Sequence, residues 1–193
     1  MKYFSFSLVV TVLFLLSSFT IPKPTSKTIN IKQSVINWKG YKVLGEHAGT
    51  VKFMTGNLEF DVNNNLTGGT LVVDMNSIVC TDLNPGQGKE KLEGHLKSDD
   101  FFGTSIHPKA TLKIKKVVSK GKSGEYKVVA DLTIKNIVKE IKFDTNISET
   151  KAMAIIKIDR SDYDVKFGSG SFFDNLGDST IYDEFDLNVN ITF

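Results

Sequence analysis

Cysteine is nearly absent from this chain: Cys80 is the only one in 193 residues. That excludes an internal disulfide, so the fold stands on its core alone even in an oxidising compartment. Its neighbours, Ile78-Val79-Cys80-Thr81-Asp82, offer the thiol an acid rather than an activating base, and Cys80 reads as a buried or half-buried spectator. Charge of one sign is also lacking. A net charge of +2 gives no concentrated basic face, which argues against a nucleic-acid binder. No internal repeat or heptad pattern occurs. The G-x-S-x-G, H-E-x-x-H, P-loop and helix-opening G-x-G-x-x-G patterns are all missing, so no catalytic set is assigned. Gly168-Ser169-Gly170-Ser171 runs into Phe172 and Phe173 instead of a helix and reads as a flexible loop. Tryptophan is scarce at one residue, but phenylalanine is abundant at 14, which suits a large apolar interior.

The N-terminus has its own grammar. Lys2 precedes the apolar run Leu8–Leu16 and then Ser17-Ser18, the order of a secretory signal peptide. The run is shorter than the roughly 20 apolar residues that span a bilayer. We expect a signal peptide over 1–20, a linker over 21–27 around Pro22 and Pro24, and one domain over 28–193. Such a protein is exported, to the periplasm or beyond.

Beyond the linker, apolar and polar residues alternate. Phe185, Leu187, Val189, Ile191 and Phe193 interleave with Asp186, Asn188, Asn190 and Thr192, the period of a half-buried strand. Leu71, Val73 and Met75 repeat the pattern, as do Ile141 with Phe143, and Ala152, Ala154, Ile156 and Ile158. Asn63-Asn64-Asn65 and Gly121–Gly124 are hairpin signals. Eight strands follow, near 28–39, 49–60, 66–77, 109–119, 125–135, 139–148, 152–159 and 184–193. Eight antiparallel strands close into a barrel or stack as a sandwich; strands this long favour an elongated barrel, which removes its edges.

Two long connections interrupt the strands, near 80–108 and 160–183. The first holds a helical insert: Leu92 and Leu96 share one helix face, and Phe101 and Phe102 follow two acids. Such an insert either lines a ligand chamber or plugs a hole with core. The three histidines, His47, His95 and His107, lack metal-ligand spacing, and we assign no metal. Arg160 stands between Asp159 and Asp162, so a salt-bridged corner is its simplest reading; phosphate or quinone oxygen is the functional one. Seven lysines between Lys109 and Lys127, locally opposed by Glu125 alone, read as a solvated face. Their alternative role is attraction to an anionic membrane surface, worth about 1 kcal/mol per lysine near the lipid.

Taken in order, Trp38-Lys39-Gly40, Gly45-Glu46-His47-Ala48-Gly49-Thr50-Val51, Gly56–Phe60, Gly69–Ile78, the 91–102 insert, Pro108–Thr111, Ala130–Asn136 and Ile158–Tyr163 resemble the YceI-like, polyisoprenoid-binding family. Asn136 departs from a common glycine in its turn, which a left-handed asparagine can replace. The resemblance implies an all-β fold, an extended eight-stranded antiparallel lipocalin-like barrel with a short helical insert. It also implies an exported protein that holds a long isoprenoid or amphiphilic lipid, a polyprenyl phosphate or a quinone, for storage, transport or scavenging. No other cofactor is called for. On that basis the tail would meet Trp38, Phe53, Leu58, Val73, Met75, Phe101, Phe102, Leu132, Phe143, Ile156, Phe185 and Leu187. Ala152 and Ala154 would leave it room, and His47, His95 and Arg160 would meet the head. Membrane-surface contact is transient on this reading, and a homodimer is admitted. Two alternatives stand beside it: a metal- or acid/base-dependent enzyme using His47, His95 and His107, and a barrel filled by its own core that serves structure or interaction.

Overall fold

The computed structural model describes residues 23–193; the expected signal peptide lies outside the described residues. Nine strands and one short helix follow one another: β1 (Thr25–Thr28), β2 (Val35–Lys42), β3 (Gly45–Phe60), β4 (Leu66–Cys80), α1 (Lys89–Lys97), β5 (Lys109–Ser119), β6 (Glu125–Ile134), β7 (Ile137–Ile147), β8 (Lys151–Asp159) and β9 (Ile181–Thr192). All pairings are antiparallel, in the order β1-β3-β2-β9-β8-β7-β6-β5-β4, and β4 returns to β3. Eight strands therefore close a barrel, and β1 is an extra piece along the free part of β3. This is the lipocalin-like barrel expected from the sequence.

Alternation puts the core inside. On β8, Ala152, Ala154, Ile156 and Ile158 are buried while Lys151, Met153, Ile155 and Lys157 face water. On β6, Tyr126, Val128, Ala130, Leu132 and Ile134 are buried in the same rhythm. β3 and β4 run to 16 and 15 residues, long enough to bend, and register shifts at Thr50/Lys52 and Phe53/Thr55 supply the local twist that curves them.

The first expected strand, 28–39, is in fact two. Asn30 breaks it: its side chain accepts from the Lys32 N–H, and its carbonyl accepts from Gln33 and Ser34. Asparagine competes with the ladder in this way and turns the chain. β1 thus occupies the end of the stretch expected to be linker, pairing Thr25–Thr28 with Phe60–Asn57. β2 then continues to Lys42, and a two-residue turn at Val43-Leu44 starts β3 at Gly45. The Ile134–Ile137 turn holds Asn136 in the left-handed region, φ 63°, as its sequence position requires.

The barrel has two unlike ends. One carries the short turns after β3, β5 and β7 and is floored by Phe60 against Phe193, ring centroids 5.8 Å apart, with the Lys27 ammonium over both rings. The other carries α1 and both long connections.

Candidate functional site

A cavity of about 250 Å³ runs inside the barrel, walled by inward side chains from every barrel strand and by Leu92 and Leu96 of α1. None of the helix residues is fully buried, so α1 lies across the end of the barrel as a cover. Two contacts fix it there. The Glu93 carboxylate accepts from the Cys80 N–H (2.8 Å) at the end of β4. After α1 the chain reverses: Phe102 N–H donates to Leu96 O, and Gly103 N–H to Ser98 O with Gly103 at φ 53°. That reversal turns Phe101 and Phe102 into the barrel, edge to face at 5.6 Å, with Phe102 reaching Phe185 at 6.5 Å.

Every apolar residue assigned to the tail lies on this lining, from Trp38, Phe53, Leu58, Val73 and Met75 through Phe101, Phe102, Leu132 and Phe143 to Ile156, Phe185 and Leu187. His47, His95 and Arg160 also line it, gathered at the helix end. His107 does not; it sits beside Gly103 with a buried Nδ1 that meets no protein partner.

The polar groups at that end are already engaged. His47 Nδ1 is 2.9 Å from Asp82 Oδ2. Asp82 Oδ1 accepts from the Cys80 thiol (2.9 Å) and the Ala48 N–H (3.2 Å). Partial burial alone would raise the Asp82 pKa, but the donors Cys80, His47 and Ala48 outweigh it and bring the carboxyl down to about 2. Burial, and next the bond to Asp82, push the Cys80 thiol up, so this fully buried cysteine is held as a thiol. His95 is sandwiched between Phe101 (5.3 Å) and Phe167 (4.4 Å), edge to face with both.

Arg160 begins a 3-10 turn after β8 and is only 3% exposed. Its donors do not go to the flanking acids, as expected from sequence. Nε donates to Tyr182 O (3.2 Å), one terminal nitrogen to Val165 O (2.7 Å), and the other to Ile181 O (3.0 Å), with Asp183 at 3.2 Å. Asp159 instead caps the turn through Ser161, and Asp162 pairs with Lys139 across to β7. Burial lowers the Arg160 pKa, and the Asp183 charge opposes that. The guanidinium thus ties the start of β9 to the end of β8 and lies over the Phe101 ring at 5.4 Å.

Lys42 was missed. It lines the cavity rim beside Tyr41, at the end of β2 where the pairing with β9 shifts register between Gly40 and Lys42. Three of the seven lysines of the β5–β6 hairpin meet acids: Lys115 reaches Asp131 and Glu140, Lys120 reaches Asp144, and Lys122 reaches Glu125. Its turn also lies at the floor end, away from the rim. The three imidazoles stand in three separate settings, and among the described residues no group of three or more His, Cys, Asp or Glu forms a metal cluster.

A closed antiparallel barrel with one long apolar cavity, covered at one end by a helix, defines a ligand-holding barrel. The chain belongs to the YceI-like domain family, whose sequence model matches residues 27–193. This is a binding-protein fold. Among solved structures it is similar to Burkholderia cenocepacia BcnA (TM-score 0.68, 17% identity, 86% of this chain and 99% of that one). It is also similar to a polyisoprenoid binding domain from Saccharophagus degradans implicated in plant cell wall breakdown (TM-score 0.56, 17% identity, 86% and 95%). A Campylobacter jejuni YCEI protein gives a TM-score of 0.51 at 19% identity over 100% and 96%. A UPF0312 protein of Staphylococcus aureus strain N315 is 46% identical over 59 residues, a match spanning 31% of each chain.

Proposed function

We propose that this protein holds a long isoprenoid or similar amphiphilic lipid, a polyprenyl phosphate or a quinone, and stores, carries or scavenges it outside the cytoplasm without transforming it. One observation carries the reading: the cavity is apolar along its length and meets ionisable groups only at the helix-covered end. That polarity matches an amphiphile with its tail toward Phe60 and Phe193 and its head toward His47, His95 and Arg160. Each CH2 buried contributes about 0.8 kcal/mol before the costs of association, so a chain of many carbons is retained through dilution. The similar Saccharophagus degradans domain is a polyisoprenoid binding domain, which supports the same class of ligand.

The N-terminal apolar run supports export. Transient membrane contact and a homodimer extend the reading, and vesicle flotation and sedimentation check them. The decisive experiment is native mass spectrometry of the gently purified protein, then organic extraction. A discrete isoprenoid at near one per chain is expected. A protein that stays ligand-free after challenge with quinones and polyprenyl phosphates overturns the reading in favour of a filled barrel.

A further inference from the structure

We infer that the barrel has a side portal: the bound lipid passes in and out between β7 and β8, where the wall is unzipped from Ala154 to the helix-covered end. The inference rests on the lipid-holding reading above and adds a route to it.

The wall is paired unevenly. β6 and β7 pair from Glu125/Asn146 to Ile134/Ile137, and β8 and β9 from Lys151/Thr192 to Asp159/Glu184. β7 and β8 pair only through Ile147/Ala152, Asn146/Met153 and Thr145/Ala154. Ile137–Asp144 and Ile155–Asp159 run on toward the helix-covered end with no ladder between them. At the rise of a strand, the parted length of β8 is about 17 Å. β4 and β5 also part, beyond Thr70/Lys113, but there β4 has only Leu66–Gly69 left and β5 carries exposed Lys115 and Lys116.

Charge explains the parting. Carrying the register on from Thr145/Ala154 would set Lys142 opposite Lys157 and Glu140 opposite Asp159. Like charges directly opposite one another destabilise a strand pair. Each lysine instead takes an acid on its own side of the seam, Lys142 from Glu140 and Lys157 from Glu184 of β9. Exposed side chains tie the top: Lys139 meets Asp162 at 3.0 Å, and Lys135 Nζ donates to Asp164 O at 3.0 Å. Exposed ties of this kind are worth little and break readily.

The parted edges are apolar on both faces. Ile141 and Phe143 of β7 and Ile156 and Ile158 of β8 line the cavity along the seam. On the outer face Val138, Met153 and Ile155 are 56%, 51% and 73% exposed. Met153 also lines the cavity, so at the foot of the seam the cavity reaches the surface. An isoprenoid chain sliding through meets carbon inside and out. A route at the rim would instead displace α1, which Glu93 ties to the Cys80 N–H, and the connection that Arg160 holds.

Two variants close the seam. Glu140→Lys with Lys142→Glu exchanges two charges, so that both crossings become attractive at unchanged composition. Lys142→Cys with Lys157→Cys adds a disulfide that is made and reduced in one sample; Cys80 is fully buried and stays out of it. Transfer of a prenylated benzoquinone between phosphatidylcholine vesicles and the protein is followed in both directions, together with the equilibrium affinity. The disulfide should slow uptake and release together by at least about tenfold, with the affinity unchanged and both rates restored by reductant. The charge exchange should slow both by about threefold. Seam-facing amides of 137–144 and 155–159 should exchange hydrogen early in the natural protein and late in both closed variants. Transfer rates that the formed disulfide leaves unchanged overturn the inference and leave the lipid-holding barrel standing. So do seam amides as protected in the natural protein as those of β6. Cysteines that an oxidant does not join, with the charge-exchanged protein transferring at the natural rate, overturn it as well. A natural protein that takes up no lipid overturns both readings.

Discussion

At the floor of the barrel, Phe60 and Phe193 close the end ring against ring beneath the Lys27 ammonium, with Leu66 and Ile29 buried. At the helix-covered end, Arg160, Asp183, His47, Asp82 and Glu93 hold two long connections through hydrogen bonds that cross the chain by as many as 35 residues. The floor is made by apolar side chains whose place follows from strand period. The rim is made by polar side chains whose place follows from what they find there. A floor of packed rings fixes depth and is indifferent to pH. A rim that includes the ionised Asp82 responds to acid.

Substitutions at the two ends should separate these roles. Phe60→Ala removes a ring that is 1% exposed and should cost about 3–5 kcal/mol. Chemical denaturation should show that loss unchanged between pH 5 and 8. Arg160→Met should cost about 3 kcal/mol, because it leaves Asp183 facing only Ser169 and Ser171 and strips donors from three carbonyls. Its loss should appear as early hydrogen exchange in residues 160–182, with the floor strands still protected. Equal loosening of both ends would deny that the rim is an independent polar unit. Phe102→Asp acts on binding more than on stability. This half-buried ring lines the cavity, and a carboxylate there should abolish lipid retention in native mass spectra while the melting temperature falls only a few degrees.

The sequence shows the same division between ends. Strands β4 to β9 were legible because period two states which face is inward, and the Asn63–Asn65 and Asn136 turns because their conformations are local. Leu92 and Leu96 were legible as one helix face, and both line the cavity. What failed was partner choice. Asn30 could be seen as polar, but its role in splitting β1 from β2 needed the carbonyl and side chain to meet the next turn. Arg160 could be seen among acids, yet its partners come from β9 and from Val165. Lys115 and Lys120 of the β5–β6 hairpin meet acids supplied by neighbouring strands, Asp131, Glu140 and Asp144, which no local window contains. Lys42 lay past the expected end of its strand at 39, and the irregularity between Gly40 and Lys42 takes it out of simple alternation.

The smallest effect tests the rim's chemistry most directly. Asp82 ionises far below the ordinary carboxylate range, at about 2. A carboxyl whose folded pKa is depressed contributes stability that is present above its unfolded value and is lost as pH falls through the folded one. Asp82 is about a third exposed, so solvent screening reduces that contribution to about 1 kcal/mol. Asp82→Asn should therefore be less stable than the natural protein at pH 7 by about that amount, and the two should converge as pH falls from about 4 to about 2. The variant also removes the charge facing His47 and the partner of the Cys80 thiol. Denaturation curves across that window check the sign. A gap that widens toward acid would mean that burial, and not the donors Cys80, His47 and Ala48, governs this carboxyl, and the rim would then resemble the floor.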